Sequence, residues 1–114
     1  MTQHAELTAE RWSRFDLGQQ ILQIGVEMQR ASASLRPDRL ESLRNSYERT
    51  MRLVDLTVEV NPVRNLRREL LRWRDVIAEL YLKDEPDPEI HRIALRCLLW
   101  LHPLSAEQVQ YLTE

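Results

Sequence analysis

Val63-Arg-Asn-Leu66-Arg-Arg-Glu-Leu70-Leu-Arg-Trp73-Arg-Asp-Val-Ile77-Ala-Glu-Leu80 is the stretch that decides the fold class. Its apolar positions Val63, Leu66, Leu70, Trp73, Ile77 and Leu80 recur at alternating steps of three and four. That spacing lays one stripe along one face of an α-helix and fits no strand, whose period is two. Upstream, Asn61-Pro62 supplies a capping residue followed by proline at a first helical position. Before it runs a second series, Leu40, Leu43, Tyr47, Thr50, Val54 and Thr57, flanked by Leu53, Leu56 and Val60. Pro37 breaks this from a first series, Leu17, Ile21, Ile24, Met28, Ala31 and Leu35, for which Ser13 and Asp16 are candidate N-caps.

Downstream, Asp84-Glu-Pro86-Asp-Pro88 forbids helix and marks a turn. A fourth seam follows at Ile90, Ala94, Cys97 and Leu101, and Pro103 stops it. Ser105 to Gln108 has the form of a capping box opening a short last helix with Val109 and Leu112. The pattern predicts helices over about 14–35, 37–60, 62–83, 88–102 and 105–112, with residues 1–11 disordered. Short connections favour antiparallel neighbours. The expected fold is therefore all-α, one domain over 1–114: an up-down-up-down four-helix bundle with a short C-terminal helix.

Composition narrows the function classes. At 114 residues the chain suits one domain, and 43% hydrophobic content is enough for a core. The net charge of -2 gives no global attraction to nucleic acid, so any basic site must be local. Cys97 is the single cysteine, which excludes an internal disulfide framework and suits the cytoplasm. No signal peptide is visible and no apolar run is long enough for a membrane span. Lys83 is the only lysine, so basic character rests on arginine, whose fork suits carboxylates and interfaces.

Three features exceed a plain bundle. Gly18 and Gly25 lie seven apart on one edge of the first helix, where a mid-helix glycine costs ~1 kcal/mol against alanine and points to a close helix–helix or subunit contact. The fourth helix is apolar nearly all round: Leu95 and Leu99 form a second stripe beside its seam, and Leu22 and Val26 add an off-seam pair on the first helix. A helix apolar on every side must be covered on several sides, by the last helix folding back or by another subunit. Gly18, Leu22, Gly25, Val26, Leu95 and Leu99 are the candidate oligomer-interface residues, and a homo-oligomer is expected. The third feature is the run Arg64, Arg67, Arg68, Arg72 and Arg74, a candidate contact for RNA or DNA, read against a solvated face of ion pairs in which Arg67 and Arg74 reach Glu27.

Catalytic signals are sparse. His4, His91 and His102 have no metal-ligand spacing with Cys97, which sits on the predicted seam, and no phosphate loop is present; no metal or cofactor is expected. Arg96 and His102 resemble the R-x(4-6)-H signature of HEPN-type ribonucleases, where the pair acts on RNA, although the intervening Cys97-Leu-Leu-Trp-Leu101 is apolar.

Trp12, Leu17, Ile24-Gly-Val-Glu27 and Arg30-Ala31, with Leu53-Val-Asp-Leu-Thr57 and Arg68-Glu-Leu-Leu-Arg-Trp-Arg-Asp75, resemble a group of small bacterial proteins over most of residues 12–82. That group is similar to the four-helix superfamily of the 23S rRNA intervening-sequence proteins and the accessory variability proteins of diversity-generating retroelements. The resemblance implies a bundle, a pentameric ring and a nucleic-acid role. The expected function is a non-enzymatic homo-oligomeric scaffold or binding module, the alternatives being a ribonuclease using Arg96 and His102 and a purely protein-binding adaptor.

Overall fold

The computed structural model describes residues 7–112. Expectations for residues 1–6, His4 among them, lie outside the described residues. The chain forms α1 (Ala9–Trp12), α2 (Leu17–Ala31), α3 (Leu40–Val60), α4 (Arg64–Leu82), α5 (Pro88–Leu99), α6 (Pro103–Ala106) and α7 (Val109–Leu112). Two 3-10 turns, Ser32–Ser34 and Pro37–Arg39, join α2 to α3. The class is all-α, with no strand among the described residues. No helix is long and apolar enough to cross a membrane among those residues.

Local chemistry sets the boundaries. Asp16 caps α2 through a reciprocal box: its carboxylate accepts from the Gln19 N–H at 2.9 Å, while its own N–H donates to Gln19 Oε1 at 3.1 Å. Ser13 closes α1 rather than opening α2. Pro37 starts a 3-10 turn, so α3 begins at Leu40, and α4 begins at Arg64 because Val63, not Asn61, holds its N-cap position. The predicted last helix is divided. Ser105 lies inside α6, where its hydroxyl donates to the Leu99 carbonyl at 2.7 Å and so ties the tail to α5 instead of opening α7.

The expectation of disorder over 1–11 fails for its described part. Thr8 caps α1, and Trp12 is buried, its indole N–H donating to Thr57 Oγ1 at 2.9 Å. A four-residue helix is too short to show a period; one aromatic side chain in the core holds it instead.

α3 packs against α2 on one side and α4 on the other, and α5 closes the circuit by packing on both α4 and α2. The predicted stripes of the first three long helices supply the buried core: Ile21, Ile24, Met28 and Ala31; Leu43, Tyr47 and Val54; Leu70, Trp73, Ile77 and Leu80. Thr50 and Thr57 sit in it because each hydroxyl donates back to a carbonyl one turn earlier, Ser46 and Leu53. Val63 is the exception, exposed ahead of α4.

α5 departs from its predicted seam. His91, Ala94, Leu95, Leu98 and Leu99 are buried, while Cys97 and Ile90 are exposed and Leu101 is half-buried. Both stripes were apolar, so periodicity alone did not choose between them. A fully buried leucine contributes roughly 1.5–3 kcal/mol, and the register seen here buries three. Gly25 makes room for one of them: a Cβ there would lie 2.8 Å from Leu99 Cδ2.

Candidate functional site

The candidate interface residues are largely occupied within the chain. Leu95 and Leu99 are in the core, and Gly25 is the slot that admits Leu99. A Cβ on Gly18 would meet the His102 ring at 2.8 Å and Leu104 Cδ2 at 2.9 Å, so that glycine seats the start of α6. The glycine edge is thus a helix–helix contact within one chain, a correction to its subunit-contact reading. Leu22 and Val26 are half-buried, Leu22 against the core.

The arginine run divides in the same way. Arg67 is half-buried and forks onto the carbonyls of Val58 at 2.9 Å, Asn61 at 3.0 Å and Glu59 at 3.4 Å, satisfying the open end of α3. Arg74 chelates the Asp55 carboxylate at 2.7 and 3.1 Å. Arg72 lies 3.4 Å from Glu69. Arg64 and Arg68 are exposed and have no bonded partner among the described residues. Arg64, Arg68 and Arg72 keep one row at four-residue steps, whereas Arg67 and Arg74 turn toward α3. Neither reaches Glu27, which is buried against Arg49 at 2.7 Å, with Arg30 at 3.8 Å. Arg44 repeats the Arg67 device at the end of α4, donating to the carbonyls of Tyr81 at 3.1 Å and Lys83 at 2.9 Å.

His102 caps α6: its Nδ1 accepts from the Leu104 N–H at 3.1 Å. Arg96 is exposed in the last turn of α5. No cluster suited to a metal ion occurs among the described residues.

His91 is engaged more deeply. One ring nitrogen, Nε2, lies 3.0 Å from the Met28 carbonyl, and the other, Nδ1, lies 2.8 Å from the Tyr47 hydroxyl. A carbonyl only accepts, so Nε2 carries the proton and Nδ1 accepts from Tyr47. Burial pushes the His91 pKa down and the Tyr47 pKa up, which keeps both neutral. Both residues are buried, and the relay joins α2, α3 and α5, with His91 also lining a pocket beside Ser32, Leu35, Arg92 and Leu112.

The surface holds the remaining candidate. The side of α5 turned from the core bears Ile90, Ile93, Cys97 and Trp100 at steps of three, four and three, with Ile93 50% and Trp100 65% exposed. Beside it, Cys97 and Leu101 share a shallow groove with Glu69, Arg72, Trp73 and Val76 of α4. Trp73 is fixed in that wall by its indole N–H, which donates to the Ala94 carbonyl at 2.7 Å. Trp100 also borders a hollow formed with Ala106, Glu107, Val109 and Gln110. The helix was rightly read as apolar on two sides; Ile90 and Cys97 of the predicted seam are left open, joined by Ile93 and Trp100, while Ala94 is buried. The described residues thus form an all-α helical bundle in which the outer side of α5 is exposed and apolar. No protein-family model, curated protein or solved structure matches the chain.

Proposed function

We propose that this chain is a non-enzymatic module that self-associates and serves as a scaffold or binding platform, its long helices arranged up-down-up-down as a four-helix bundle in the cytoplasm. The observation that carries the reading is the exposed stripe Ile90, Ile93, Cys97 and Trp100. Single exposed apolar residues are common on protein surfaces, but a contiguous stripe at helical spacing marks an interaction surface. The likeness to the superfamily of intervening-sequence proteins supports an oligomer on separate grounds. Light scattering across micromolar concentrations tests the proposal. A mass above one chain is expected, falling to one chain in Ile93→Glu and Trp100→Glu; a strict monomer throughout would overturn it. The same mass distinguishes a dimer from the pentameric ring that the likeness implies.

A second reading, contact with RNA or DNA, draws on the exposed row Arg64, Arg68 and Arg72. Phosphate contacts release counterions, so binding to labelled RNA and DNA should weaken steeply with salt; a flat response removes this reading. The ribonuclease alternative draws little support from His102, whose Nδ1 already accepts a backbone hydrogen bond. A purely protein-binding adaptor would use the same α5 stripe and would stay monomeric alone.

A further inference from the structure

The pocket that His91 lines is selective in its chemistry. It lies where the end of α2, the start of α5 and the tail converge, and its volume is about 260 Å³. An apolar cavity of about 150 Å³ holds benzene, so this one takes a molecule of roughly ten non-hydrogen atoms. Leu35, Pro88, Leu95 and Leu112 supply apolar wall. His91 adds a neutral ring, since the Tyr47 hydroxyl and the Met28 carbonyl occupy its two nitrogens. The Ser32 hydroxyl has its proton committed to the Gln29 carbonyl. Arg92 is the one charged side chain among the described lining residues; it is exposed and has no bonded partner among the described residues. The nearby acids do not neutralise it. Asp87 is held by Lys83 at 2.6 Å, and Glu89, one turn before Arg92, makes no ion pair with it. The other hollows carry carboxylates of their own: Glu69 beside Cys97, Glu107 beside Trp100, and Asp84, Glu85 and Asp87 at the turn before α5.

We propose that this pocket binds a small monocarboxylate with an apolar body, the carboxylate on the Arg92 guanidinium and the body against Leu35, Leu95 and Leu112. Charge complementarity chooses the head group. A guanidinium forks onto a carboxylate with two parallel hydrogen bonds, whereas an ammonium head would meet a cation. One guanidinium balances one negative charge, so a dianionic phosphate would be left half-compensated. Size and apolar wall choose the body, a short alkyl chain or a single ring. Ile93 and Trp100 do not line this pocket, so the site is separate from the exposed α5 stripe and goes beyond the scaffold reading.

Octanoate is the probe, titrated into the full chain and followed through its amide NMR signals, with octylammonium as the control of equal length and opposite charge. A dissociation constant of about 1 mM or tighter is expected for a ligand of about ten non-hydrogen atoms. The shifts should centre on Ser32, Leu35, His91, Arg92 and Leu95. Octylammonium should bind about fivefold more weakly or worse, the scale of one exposed ion pair. Arg92→Gln alters an exposed side chain, and circular dichroism can verify that its helices persist; in that variant the preference for octanoate should disappear. Leu112→Glu places a carboxylate in the lining and should weaken octanoate binding by about fivefold or more on the same scale. Equal binding of the two probes, a preference that survives Arg92→Gln, or shifts centred on Ile93 and Trp100 would overturn the assignment. Absence of saturable octanoate binding well above the millimolar range would overturn it too. The mass of the chain plays no part in these readouts, so the self-association reading stands or falls apart from them.

Discussion

At the meeting of α2, α3 and α5, His91 contributes to the response to acid. Burial holds His91 below its ordinary value of 6.5, so the unfolded chain takes up a proton near that pH while the folded chain does not. The His91 contribution to stability is then complete above about pH 6.5 and declines as the pH falls, until the native ring also protonates. Urea midpoints at pH 7.5 and 5.5 should differ in the native chain and differ less in His91→Gln; an unchanged difference would assign the acid limb to other groups. Gly25 gives the second prediction at this scale. Alanine there gains ~1 kcal/mol of helix propensity, but its methyl would press on the terminal methyl of Leu99, which is fully buried and must shift to admit it. Overpacking costs typically 1–3 kcal/mol. Gly25→Ala should therefore lower the urea midpoint, and a higher midpoint would show that Leu99 can repack.

The connections between helices explain why arginine recurs. Each α-helix leaves its last carbonyls without intrahelical partners. Here the fork of Arg67 covers the end of α3 and that of Arg44 the end of α4, each reaching back from the neighbouring helix. A lysine point charge would not hold two diverging carbonyls in this way. Removing Arg67 strips hydrogen bonds from a half-buried terminus, where each bond to a charged group contributes roughly 1.5–3 kcal/mol. Arg67→Ala should be destabilising on that scale, whereas Arg68→Ala, fully exposed, should stay within about 0.5 kcal/mol of the native chain. Equal losses in the two variants, measured by urea unfolding, would contradict the capping role.

At the scale of the whole molecule, the bundle covers one side of α5 and leaves the other in water. Association of folded chains that does not involve the unfolded state raises the melting temperature with protein concentration. That rise is expected for the native chain and should vanish in Trp100→Glu; a melting temperature independent of concentration in both would speak against assembly through this face. The tail contributes too. Gly18 seats His102 and Leu104, and Ser105 bonds to Leu99, so α6 braces the end of α5 and leaves Trp100 exposed as the last member of the open stripe.

The sequence by itself determined the helices, because solvent enforces periodicity locally: every turn of α2, α3 and α4 had to carry an apolar residue on the same side. Asp16 as a cap, the turn at Asp84 to Pro88 and the two threonines within the α3 stripe were legible for the same reason. Only the tertiary structure decided which side of α5 faced inward, that Gly18 and Gly25 served contacts within the chain, and that Arg67 and Arg74 joined α4 to α3. Those outcomes rest on contacts between residues far apart in sequence, such as Gly25 with Leu99 and Trp12 with Thr57. Where a helix offers two apolar faces of comparable merit, local pattern is degenerate, and the shape of the neighbouring helices selects one face for the core and leaves the other open to solvent.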